Sequence, residues 1–492
     1  LNISGAITLT APTAATTNLT VGAGVLNAAS ITIPGSATAS RFATVSVSTG
    51  TITITGSITF SGTAAQARFI STGASTVNVG GNFGSGGNLN TSATGTINFN
   101  GSVAQSIGAY TTYYNIAINN TSGGVSFLGT TTIGGTLTVT TGTLTFGAVT
   151  TTVSGATSIT GVVTISSTTG TKIFTGLVTI NPGGVWNNTA NEAVSFRGGI
   201  THNGTTFTAG TGVHTFDTNS RAIGGTTAIS IPSVTVTGVT LTNNTTLTVN
   251  TALSGSGGLT QGSGATLNIG GTSAITTLTA SVNPNTVNYT STAANQTVVG
   301  TTYHHLAINK SARTATLGGN IIINGDLTIT TGTLNTGSNA CIVNGTTNIT
   351  GTLGITNATW TKSFVGLVTV NAGGTWNNSA NSAVTFQGGI THNGTTFTAG
   401  TGVYTFDTNN QALGGTTAIS IPSVTVTGVT LTNNTTLTVN TALGGTGGLT
   451  QGSGATLNIG GTSTIVSLDA SVDSNTINYT SATAVQTVVG TT

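Results

Sequence analysis

The chain has 492 residues, of which only 8 are Lys or Arg and 6 are Asp or Glu; charged residues make up 3% and the formal net charge is +2. Globular domains carry about 25% charged residues, and so few scattered cations cannot neutralise a phosphate backbone, which excludes nucleic acid as a partner. Disorder is excluded too, since 36% of the residues are hydrophobic and disordered chains pair low hydrophobicity with high net charge.

Thr, Gly, Asn, Ser, Val and Ile dominate instead. Thr, Val and Ile suit pleated strands, while Gly and Asn supply turns, so the predicted class is all-β. Cys341 is the only cysteine, which rules out an intrachain disulfide and a Cys-rich zinc site. No apolar run is long enough for a transmembrane helix, so no transmembrane segment is expected. No charged leader precedes an apolar stretch. The chain opens on Leu1 in the strand-like LNISGAITLT and contains no Met, which reads as a processed chain or a window of a longer one.

Taken in chain order, the predicted strands repeat. STVNVG at Ser75 has a weak copy, ATLNIG, at Ala265. TTYYNIAINN at Thr111 returns as TTYHHLAINK at Thr301, and TGTLTFG at Thr141 as TGTLNTG at Thr331. The stretch Thr171–Thr302 recurs as Thr361–Thr492 without insertion or deletion, an offset of 190 residues. The expected organisation is one continuous β-solenoid over 1–492, with internal units 1–112 (partial), 113–302 and 303–492.

Inside the unit an apolar–polar–apolar triplet recurs, as in Leu306-Ala307-Ile308, Leu327-Thr328-Ile329, Thr347-Asn348-Ile349, Val368-Thr369-Val370 and Ile390-Thr391-His392. After a blurred turn near Leu413 it resumes at Leu437-Thr438-Val439, Leu457-Asn458-Ile459 and Ile477-Asn478-Tyr479. The step of about 21 residues is that of a solenoid coil. Alternation turns the outer residues of each triplet to one face and the middle one to the other. A Gly often stands two residues before the triplet, as at Gly325, Gly345, Gly366 and Gly388, where a corner is expected. The predicted fold is therefore a parallel β-solenoid (β-helix), about nine coils per 190-residue repeat, with right-handed coiling because parallel crossovers take that hand. At roughly 4.8 Å per coil the whole would make a rod about 110 Å long. Outward Asn and Thr ladders fit such stacking, and the scarcity of charge fits it too, because like charges one coil apart repel.

The phrases TYYNIAINNTSG at Thr112, GTLTVTTGTLTFG at Gly135 and GGTWNNSANSAVTFQGGITHNGTTFTAGTG at Gly373 resemble the repeat regions of giant bacterial surface proteins. Such regions occur in Bacteroidota that use type IX secretion and are similar to filamentous-haemagglutinin-like adhesins. The resemblance implies an extracellular or cell-surface location for a secreted chain. It implies a repeat architecture rather than an activity.

Catalysis by a β-helix needs paired carboxylates or calcium-binding Asp clusters. The acids here are Glu192, Asp217, Asp326, Asp407, Asp469 and Asp473, and His202 with Asp217, duplicated as His392 with Asp407, is the nearest thing to a catalytic pair. Both histidines end a triplet where other coils place Val or Ile, so they are expected to be inward, hydrogen-bonded and structural. Neighbouring His304 and His305 are expected to form an edge row with no converging metal ligand. Trp186 and Trp376, in GGVWNN and GGTWNN, are read as core caps rather than sugar platforms. Cys341 is read as a small core residue. No catalytic, cofactor-binding or metal-binding residue is assigned, and an enzyme is not expected.

The function expected is a structural extracellular fibre or adhesin stalk. The partners expected are further copies, through self-association into filaments, or a continuation of the same chain, with surfaces or polysaccharides as further possibilities. Carbohydrate or ice binding is the alternative: Thr328, Thr369 and Thr391 would begin an ice-matching row, but Ala307 and Asn348 interrupt it. Polysaccharide cleavage ranks lower. Because VVGTT at Thr302 runs straight into the next coil, the same phrase at Thr492 is expected to run on as well.

Overall fold

A computed structural model describes residues 1–91, 94–482 and 485–490; Thr491 and Thr492, where the chain is expected to run on, lie outside the described residues. The all-β expectation holds. About 24 coils of about 21 residues stack as a parallel β-solenoid. The one helical turn among the described residues, Ala64–Gln66, is a 3-10 helix. The chain falls into two compact units, Leu1–Thr248 with Ser254–Gly258, and Val249–Leu253 with Leu259–Thr492.

In the first unit a coil is three short strands. Thr131–Ile133, Leu137–Thr141 and Thr143–Phe146 are followed one coil on by Thr151–Val153, Thr157–Ile159 and Val162–Ile165. Each pairs in parallel with its successor, placing Ile133 on Val153, Leu137 on Thr157 and Leu144 on Val163. Period two does the sorting: Leu137 and Val139 are buried while Thr138 between them is half-exposed. Since apolar burial scales with area removed from water, a coil gains most by stacking its inward row on two neighbours.

In the second unit the predicted triplets from Leu306 to Ile390 form one column. Val287, Leu306, Leu327, Thr347, Val368, Ile390 and Leu413 pair in succession. The blurred turn at Leu413 is thus a regular rung. From there the column passes through the strand Thr430–Asn433, where Leu413 pairs with Asn433 and Asn433 with Gln451. The triplets at Leu437, Leu457 and Ile477 belong to a different column, begun by Ile419. Strands on different faces carry the same alternation, so the pattern alone does not say which face a triplet occupies.

The glycines before the triplets are required by closeness. A Cβ at Gly345 would lie 2.3 Å from the Gly325 carbonyl oxygen, one at Gly366 2.2 Å from that of Gly345, and one at Gly388 2.5 Å from the carbonyl carbon of Gly366. Backbone meets backbone there, and no side chain fits.

A second device joins the coils at their corners. A side-chain acceptor in one coil takes the backbone N–H of a residue one coil later. Asn115 takes that of Thr136, Asn203 that of Thr226, Asn381 that of Thr401, Asn393 that of Thr416 and Asn410 that of Thr430, all between 2.8 and 2.9 Å. The expected asparagine ladders are present as well: Asn98 donates to Asn78 at 2.8 Å, Asn119 to Asn98 at 2.7 Å and Asn478 to Asn458 at 2.8 Å.

Candidate functional site

His202 and His392 end the strands Ile200–His202 and Ile390–His392, pairing with Ile180 and Val370, and each is 1% exposed. Their rings lie against Phe207 and Phe397, with centroids 5.7 and 5.4 Å apart. Burial holds both imidazoles below their ordinary pKa. The inward placement matches expectation, but the hydrogen bonding is poorer than expected. His202 Nδ1 is buried without a partner, and His392 Nδ1 accepts only a long 3.4 Å contact from the Gly394 N–H. The aspartates are engaged elsewhere: Asp217 accepts from Arg197 Nε at 2.8 Å and Asp407 from Gln387 Nε2 at 3.0 Å. The catalytic-looking pair is thus a core histidine and a surface bracket.

His304 and His305 do meet a carboxylate that sequence spacing did not bring near them. The two rings pack edge to face 4.2 Å apart, and Asp326 Oδ2 lies 3.5 Å from His305 Nδ1. Yet His305 Nδ1 accepts the Asp326 backbone N–H at 3.0 Å, and Asp326 Oδ1 accepts the N–H and hydroxyl of Thr346, each at 2.8 Å. These are corner brackets again, in the place Asn115 fills in the earlier copy. Among the described residues no group of three or more His, Cys, Asp or Glu is placed to hold a metal ion.

Trp186 and Trp376 are fully buried. Each stacks on the next coil's phenylalanine, Phe207 at 5.8 Å and Phe397 at 5.6 Å, so they are core residues, as expected. Cys341 is buried between Ile321 and Lys362 on adjacent coils, and burial pushes its thiol up to about 12, which disfavours the thiolate.

Buried lysines serve the backbone. Lys362 Nζ donates to the carbonyls of Thr359 and Trp360 at 2.9 and 3.1 Å, and Lys172 holds Thr169 and Gly170 in the same way. Lys310 Nζ donates to Ala294 O at 3.0 Å and Gln296 Oε1 at 2.7 Å, where Asn120 serves Val103 O and Gln105 Oε1 in the earlier copy. Burial lowers Lys310 to about 8.

The residue that sequence reasoning passed over is Trp360. It is 61% exposed and has a φ of 71°. The left-handed region costs a side-chain-bearing residue roughly 1–2 kcal/mol, and the earlier copy has Gly170 there, with a φ of 77°. The signal was available: a tryptophan stands where the duplicate places glycine. Together with Thr361, Lys362, Ala383 and Thr385 it lines a shallow depression of about 400 Å³.

Compared with known proteins, the chain matches no family model, no curated protein and no solved structure. The class its geometry defines is a β-solenoid repeat protein. Among the described residues no helix is long and apolar enough to cross a membrane.

Proposed function

We propose that the chain is a structural segment of an extracellular fibre or adhesin stalk, displayed on a bacterial surface. The observation that carries this reading is the way each coil is joined to the next. Parallel ladders, glycine columns and corner brackets all run along the stacking direction. Such a stack gains stability with every added coil, which suits an extended support. The sparse charge favours lateral contact between copies, because little like-charge repulsion opposes it. The resemblance of the repeats to those of giant secreted surface proteins supports the location. The side chains with the richest chemistry, His202, His392, Trp186, Trp376 and Cys341, are spent in the core, which favours support over catalysis. Ice binding is less favoured, because the outward row reads Ala307, Thr328, Asn348, Thr369, Thr391, Gly414 and is broken at both ends and within.

The test is immunogold electron microscopy of intact cells that make the protein, using antibody against the purified chain. Label on the cell surface or on shed filaments is expected. Label confined to the cell interior would overturn the reading.

A further inference from the structure

We propose that Trp360 is a glycan-stacking platform, which binds one pyranose ring of a neutral polysaccharide. Two observations converge on it. The indole is 61% exposed, whereas Trp186 and Trp376 are fully buried. It occupies a left-handed position that the duplicated loop fills with Gly170. A side chain is strained in that backbone conformation, and strain of this kind gathers at binding sites.

The loop is also held still. Asn357 Oδ1 accepts the Thr359 N–H at 2.8 Å and the Thr359 hydroxyl at 2.6 Å, and Lys362 Nζ fixes the carbonyls of Thr359 and Trp360 from beneath. A platform fixed in advance loses little entropy on binding.

The chemistry around the ring selects the ligand. Thr361 and Ala383 are exposed and Thr385 half-exposed beside the indole. Lys362 is 1% exposed with its ammonium spent on carbonyls, so no free charge faces the depression. An indole face with hydroxyls at its margin matches a sugar ring, whose C–H face is apolar and whose rim carries hydroxyls. A charged peptide would find no counter-ion, and a large apolar partner would find only one aromatic side chain.

The proposal stands apart from the fibre reading, whose test is location. Fluorescence of the full chain tests it, because acrylamide reaches only an exposed indole. The probes are cellohexaose, chitohexaose and mannohexaose, added in turn. At least one is expected to shield Trp360 from quenching and shift its emission to the blue. Trp360→Gly, which restores the residue of the earlier copy, is expected to weaken that binding by at least about tenfold, and Trp360→Phe to retain part of it. Circular dichroism of both variants should match the parent. The proposal is overturned if none of the three sugars shields the indole, or if Trp360→Gly binds as well as the parent. It is equally overturned if the indole is shielded by protein concentration alone, which would make a second copy its occupant.

Discussion

Trp376 Nε1 donates to the Tyr404 hydroxyl at 3.0 Å, and that hydroxyl also accepts from Asn378 and donates to Ala399 O. In the earlier copy His214 stands where Tyr404 does, and both Trp186 Nε1 and His214 Nε2 are buried without a partner. An unpaired buried donor costs about 1–3 kcal/mol. His214→Tyr is therefore expected to stabilise the chain by about 1–2 kcal/mol, seen as a raised denaturant midpoint; a lowered midpoint would count against this account of the core. The same residue sets a pH dependence. Burial pushes His214 down to about 4 and also lowers His202 and His392. These rings stay neutral in the folded chain, whereas unfolded imidazoles take up protons below about 6.5. Stability should be full above that value and fall as the pH drops toward 4, and His214→Tyr should make the fall shallower. A denaturant midpoint that does not change between about pH 7.5 and about pH 5 contradicts this.

Strands and corners depend on what stands one coil away. Gly366→Ala places a methyl against the Gly345 carbonyl oxygen, 2.2 Å from an ideal Cβ, while a Cβ at Gly414 meets nothing within 4 Å. Gly366→Ala is expected to cost about 1–3 kcal/mol, with Gly414→Ala near neutral; equal thermal stability of the two variants would show that the column is not close-packed. Much of this level was legible in sequence. The triplets at Leu306, Leu327, Thr347, Val368 and Ile390 are the rungs observed, because period two and a regular coil length each leave a mark on the chain. Face assignment was not legible, as Leu437 shows: one alternating strand looks like another until register is known. The approach of Asp326 to His305 was hidden for the same reason, since it depends on a corner contact across 21 residues. Trp360 was legible only by contrast with Gly170, not from its own surroundings.

At the scale of the whole molecule, strength resides in the joints between coils. In a quasi-one-dimensional stack, stability is a sum of coil terms and nearest-neighbour terms, so load should release coils one after another. A coil of about 21 residues, drawn out at roughly 3.3–3.6 Å per residue from a rise of about 4.8 Å, should lengthen the chain by about 65–70 Å. Single-molecule pulling of the full chain between its two termini measures this directly. A staircase of extensions in multiples of that step is expected, at forces that fall when Gly366→Ala loosens a joint. A single release of each compact unit in one event, with no intermediate extension, would contradict it.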